Sequence, residues 1–109
     1  MAEALETIHV MDGDPVASEH ILIALTAGEF VYGDGARQLF EHTGATAYVE
    51  HGKQTRGEWY LDDDGHFCSF WPPSYRACYD LRWIVEEGRI VGLRFTQLGQ
   101  GSRFDGRYR

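Results

Sequence analysis

Five residues in the middle of the chain carry the side-chain types that catalysis and metal binding use: Asp62, His66, Cys68, Cys78 and Asp80. His66 and Cys68 are two apart, so in a strand they share a face. Strand registers drawn from the hydrophobic pattern set Asp62 opposite His66 on one side and Asp80 opposite it on the other. One imidazole between two carboxylates could bind a divalent cation, or work as a base with a raised pKa. A metal-dependent or acid/base enzyme centred on Asp62, His66 and Asp80 is therefore one functional expectation. The plainer reading of the same residues is a solvated surface cluster beside Arg76 and Arg82. Cys68 and His66 are not expected to act as a nucleophile–base pair, because no third orienting group or oxyanion donor accompanies them.

A second set of residues is aromatic. Eight of the fifteen aromatics fall between residues 58 and 83. Each buried aromatic removes about 150–250 Å² from water, so this segment should hold the core. Trp59, Trp71, Tyr79 and Trp83 could also line a pocket on the aromatic side of a curled sheet. Such a pocket would hold a small apolar ligand or a protein partner. A non-catalytic binding module is the first functional expectation, and the His66-centred enzyme is the alternative. A structural or self-associating protein without ligand is a third, since the same rings can simply fill a core.

Other motifs carry less. Asp62-Asp63-Asp64-Gly65 lacks the alternating ligands of a calcium loop and reads as a turn. Gly33-Asp34-Gly35 lacks the Gly-Lys-Ser/Thr ending of a phosphate loop. His9, His20, His42 and His51 have no mutual spacing that suggests a metal site. No cofactor is expected.

These residues need elements to hold them. The spacing predicts one helix near residues 15–27, with Asp14 or Ser18 as cap, Pro15 in the first helical position and Gly28 closing it. Ile21, Leu22, Ala24 and Leu25 form its apolar stripe. After Gly28 the period becomes two, with turn signals every several residues, which indicates an antiparallel meander of seven or eight strands. In Arg76–Glu86 the apolar set is Ala77, Tyr79, Leu81, Trp83 and Val85. Val91, Leu93 and Phe95 continue that face in the next strand. Opposed residues share a face, so Trp83 should meet Leu93 and Leu81 should meet Phe95 across a Glu87-Gly88-Arg89 loop. The same rule sets Leu61 against Phe67 and Trp59 against Ser69. A sheet of this size with one polar face hides its edges by curling. The expected fold is thus mainly β, a small antiparallel meander curled into a barrel or half-barrel, with one N-terminal helix.

Composition sets the outer limits. A chain of 109 residues, 43% hydrophobic and 25% charged, can pack one domain core, and residues 1–109 are read as a single domain with 1–13 a loosely ordered lead-in. A net charge of -7 argues against nucleic acid as a partner. The longest apolar run, Ile21–Leu25, has five residues, against the roughly 20 a transmembrane helix needs. Residues 1–36 hold seven acids and no Lys or Arg, whereas 88–109 hold five Arg and one Asp. Either the two ends are separately solvated, or the acidic part docks on the basic strand, within one chain or between two. The first residues show no basic region followed by an apolar one, so a cytoplasmic protein is expected, or a periplasmic one if a signal has been removed.

Cys68-Ser69-Phe70-Trp71-Pro72-Pro73-Ser74, preceded by Gly57-x-Trp59 and followed by Cys78-Tyr79-Asp80, resembles a family of small bacterial proteins of unknown function, common in alphaproteobacteria. Ile21–Leu25 and Gly33–Phe40 match that pattern's Leu-rich helix and its Gly-x-Gly turn with Arg-Gln-x-Phe. The resemblance spans residues 18–98. It implies no activity, cofactor or catalytic residue, and it suggests a disulfide between Cys68 and Cys78. The spacing is compatible with that bond. Pairing Phe70 with Arg76 across the Pro72-Pro73 loop sets Cys68 against Cys78 at about 4.5–5.5 Å between Cα atoms. A four-residue turn would instead set Cys68 against Tyr79, and a reducing compartment would leave two free thiols.

Overall fold

From Phe30 onward, apolar and polar residues alternate and turn residues recur, so the chain can only extend, reverse and pair with itself. The computed structural model describes residues 5–109. Its strands are β1 (Phe30–Tyr32), β2 (Arg37–Phe40), β3 (Ala45–Glu50), β4 (Lys53–Leu61), β5 (Phe67–Trp71), β6 (Tyr75–Glu86), β7 (Arg89–Gln97) and β8 (Arg103–Tyr108). Each pairs antiparallel with the next, and β8 returns to β1 through Phe30–Tyr108, Val31–Arg107 and Tyr32–Gly106. The result is a closed eight-stranded up-and-down barrel. Closure leaves no sheet edge of the kind that invites aggregation. Charged Arg56, Glu58, Arg76 and Arg82 are exposed on its outward face.

The registers follow the alternation. Trp83 pairs with Leu93 and Leu81 with Phe95. Leu61 pairs with Phe67 and Trp59 with Ser69, and Phe70 pairs with Arg76 and Cys68 with Cys78. The connection between β6 and β7 differs from the expected three-residue loop. Glu86 pairs with Arg89, and a bulge after Ile84 absorbs the extra residue. Glu87 and Gly88 form a two-residue turn with φ of 51° and 76°. Two positive φ values match the twist of a tight hairpin better than a longer loop does.

Phe30, Phe40, Phe67, Leu81, Trp83, Leu93 and Phe95 fill the interior, and Ile21, Ala24 and Leu25 cap one end of it. These last three belong to α1 (Ile21–Thr26), which continues a 3₁₀ turn over Ser18–His20. The helix is shorter than expected and uses neither anticipated cap. Ala17 stands at the start of the 3₁₀ turn and makes no side-chain cap, and the Asp14 carboxylate accepts the Met11 N–H instead. Pro15 lies in an extended bridge opposite Arg82. Burial of the apolar stripe therefore holds this helix, as is usual for one too short to be stable alone.

The segment before the helix lies along β6, where β5 has ended. The Gly13 N–H donates to Trp83 O and the Trp83 N–H to Asp14 O, both at 2.9 Å, and the Val16 N–H donates to Leu81 O at 3.0 Å. Asp12 accepts the Val85 N–H, and Leu5, Ile8 and Val10 pack against the core. The lead-in expected over 1–13 is tied down over residues 5–13, and residues 1–4 lie outside the described part. Acidic and basic ends do meet at the barrel seam. Arg109 reaches Glu29 at 3.1 Å, and the Arg109 N–H donates to Glu29 O.

Among the described residues, no helix is long and apolar enough to cross a membrane.

Candidate functional site

Strand direction divides the interior into two halves. α1, the Asp62–His66 turn and the Glu87–Gly88 turn lie at one end. The Gly33–Ala36 turn, the Pro72–Ser74 turn and the Leu98–Ser102 connection lie at the other. The helix side holds the packed core, and a groove of about 790 Å³ lies beside it between the lead-in (Leu5, Ile8, Val10) and Val85 and Ile90. The far side opens into a cavity of about 910 Å³. An eight-stranded barrel has an interior just wide enough to be filled by side chains or to hold one small ligand, and here each half does one of these.

Aromatic rings wall the cavity. Trp71, Tyr48, Tyr32, Phe104 and Tyr79 follow one another around the mouth. Neighbouring ring centroids are 6.4 Å apart for Tyr48–Trp71, 6.2 Å for Tyr32–Tyr48, 5.4 Å for Tyr32–Phe104 and 5.9 Å for Tyr79–Phe104. Below them runs a buried polar chain. The Tyr32 hydroxyl donates to Gln38 Oε1 at 2.7 Å, Gln38 Nε2 donates to Thr46 Oγ1 at 2.9 Å, and Thr46 donates to Leu39 O. Burial pushes the Tyr32 phenol far above its ordinary range, with Tyr48 and Tyr79 adding to the shift. The hydroxyl therefore stays protonated as a donor. Arg103, Asp34 and Glu50 stand at the rim, with Arg94 and Asp105 joined by a bidentate pair at 2.8 and 3.1 Å.

Position in the sheet explains the Trp71 ring. A Cβ on Gly57 would come within 2.5 Å of that ring and 2.8 Å of the Phe70 carbonyl. Glycine at 57 thus lets the ring lie close over β4, and the Trp71 indole N–H donates to Ser69 Oγ at 3.2 Å.

Of the four aromatics expected to line a pocket, Trp71 and Tyr79 do so. Trp59 and Trp83 belong to the helix-side half. Trp59 packs on Phe40 and Phe67 and donates its indole N–H to Glu41 O at 2.8 Å. Trp83 is fully buried in the core. Sequence reasoning missed Tyr32, Gln38, Tyr48 and Phe104. The available signal was polar residues on inward positions, Gln38, Thr46 and Thr55, in strands too short for the alternation to be conspicuous.

The His66 cluster forms only in part. Asp62 Oδ1 accepts the backbone N–H of Asp64 at 2.9 Å and of His66 at 2.8 Å, and Oδ2 lies 3.3 Å from His66 Nδ1. The His66 backbone bond is the chief cause that holds the Asp62 carboxyl below the usual range. Ligand atoms of Asp62, Asp64 and His66 lie within 4.8 Å of one another. Asp80 is engaged elsewhere, accepting from Arg82 Nε at 2.9 Å. Asp62 thus does the work of a turn cap, closing the β4–β5 connection.

Cys68 and Cys78 are joined by a disulfide, with Cα atoms 3.9 Å apart, on the outward face between β5 and β6.

No protein-family model, curated protein sequence or solved structure matches the chain.

Proposed function

We propose that the protein is a non-catalytic binding module that holds one small, mostly apolar ligand in the open end of the barrel. The observation that carries this reading is the aromatic-walled cavity of about 910 Å³ over a fully bonded polar floor. Ligand sites are typically concave, about 300–1,000 Å³, mainly apolar, and furnished with a few polar groups that orient the occupant. Tyr32, Tyr48, Trp71, Tyr79 and Phe104 supply the apolar wall, and Thr55 and the Tyr48 hydroxyl supply the polar groups. The alternative centred on Asp62, His66 and Asp80 has less support, because Asp62 is occupied by its own turn and Asp80 by Arg82.

A fragment library of small aromatic and cyclic compounds, screened by two-dimensional NMR of the labelled protein, tests the reading. Hits should shift the Trp71 indole signal and the amides of Gln38, Thr55 and Phe104. The Trp83 indole should stay still. Shifts that never cluster on those residues, or hits whose affinity is unchanged in Tyr48→Ala, would overturn it.

A further inference from the structure

The charges around the cavity are not evenly placed, and they bear on what it holds. The inference rests on the binding reading above and narrows its ligand. Tyr48 stands between Tyr32 and Trp71, and Glu50, two residues on along β3, and Asp34, in the β1–β2 turn, line the same cavity. On β7 and β8, Arg94 is bound in two hydrogen bonds to Asp105, whose charge also offsets Arg103. Arg94 is thereby neutralised, whereas Glu50, opposite Lys53 in the β3–β4 register, and Asp34, whose Oδ1 accepts the Ala36 N–H at 3.0 Å, are in no ion pair among the described residues. The whole chain adds a net charge of -7, which attracts cations to its clefts.

We propose that the ligand is an organic cation with an alkylated ammonium head, seated against Tyr32, Tyr48 and Trp71 and facing Glu50 and Asp34. Two physical effects act together there. Ring faces attract a cation through their quadrupole, most strongly where the head is weakly hydrated, as an alkylated ammonium is. The carboxylates add a direct attraction that a neutral ligand of the same shape does not feel. Tyr48 itself reports this field. Burial is the main cause that raises its phenol pKa, and the charges on Glu50 and Asp34 raise it further. A potential that disfavours a phenolate at this wall favours a cation beside it. The Glu50 and Asp34 side chains lie at exposed positions, so changing them leaves the packed half intact.

Three probes of one shape decide the matter: choline, its neutral carbon isostere 3,3-dimethylbutan-1-ol, and the anion 3,3-dimethylbutanoate. Each is titrated while the Trp71 indole signal is followed by NMR, with Trp59 and Trp83 as internal references. Choline should bind about tenfold or more tighter than the alcohol, and the carboxylate weakest. The double variant Glu50→Gln, Asp34→Asn should remove most of that preference, weakening choline several-fold more than the alcohol. Equal binding of choline and the alcohol, or tightest binding of the carboxylate, would overturn the cation assignment. Failure of all three where neutral aromatic fragments still shift Trp71 would also overturn it and leave the cavity reading standing. Silence of Trp71 toward every probe and fragment would overturn both.

Discussion

Trp83 shows how much one side chain contributes to this barrel and how it does so. It is among the most buried residues, opposite Leu93 and in one core cluster with Ile21, Ala24 and Leu25 of α1, yet among the described residues its indole N–H has no acceptor. Its contribution is therefore packing alone. Trp83→Ala should cost about 3–5 kcal/mol in urea melts. Trp83→Phe should cost well under half of that, because the ring face is largely kept and an unpaired donor is removed. Equal losses for the two variants would overturn the packing account. Asp62 works the opposite way, through hydrogen bonds at an exposed turn. Its folded pKa is lowered, so its stabilisation is present above the unfolded value and is lost as pH falls through the folded one, below about pH 4. Local opening of the β4–β5 turn, read from exchange of the His66 amide corrected for intrinsic rates, should rise over that range. Asp62→Asn keeps the accepting oxygen and should flatten the pH dependence, whereas Asp62→Ala should leave the turn open at every pH.

The β5–β6 hairpin concentrates the element-scale features. Its disulfide closes a sequence separation of 10 residues, a short loop, so cross-linking should contribute about 2–3 kcal/mol by restricting the unfolded chain. Reduction should lower the unfolding free energy by that amount, read from denaturant melts, while the barrel remains folded. Its inward side carries Trp71 and Tyr79, which places two cavity residues on strands fastened to each other. The neighbouring β4 takes part through Gly57. Gly57→Ala would drive a methyl into the Trp71 ring and the Phe70 carbonyl, at a cost of about 1–3 kcal/mol. It should also displace the Trp71 indole resonance and weaken cavity binding. A variant of wild-type stability with an unmoved Trp71 signal would refute the close-approach account. α1 needs no such fastening, since its buried Ile21, Ala24 and Leu25 hold it on the barrel end.

At the scale of the molecule, two phenols from strands distant in sequence, one buried and one partly buried, fasten the first and last strands to their surroundings. Tyr32 lies on β1 and Tyr108 on β8; Tyr32 donates to Gln38 and Tyr108 to Ala24 O. Burial raises both phenols above the ordinary tyrosine range. Their contribution is thus complete below the unfolded value of about 10 and falls as pH rises beyond it. In an ultraviolet titration, two of the six tyrosines should ionise only as the barrel unfolds, and Tyr32→Phe should shift the alkaline unfolding midpoint upward. Much at this scale was legible in the sequence. The alternation Ala77, Tyr79, Leu81, Trp83 and the turn residues around it determined the β4 to β7 registers, and with them the facing of Cys68 and Cys78, because a one-residue slip would bury charges such as Arg82. Period-two patterning speaks only for one strand and its neighbour across a turn. The β1–β8 seam, the docking of residues 12–16 on β6, and the depth at which each inward ring sits were decided by the tertiary structure. They depend on surfaces brought together from opposite ends of the chain. That is why Trp59 and Trp83 could be assigned to the aromatic face but not to the filled half of the barrel. It is also why the open half, with Tyr32, Tyr48 and Gln38, came into view only once the sheet had closed.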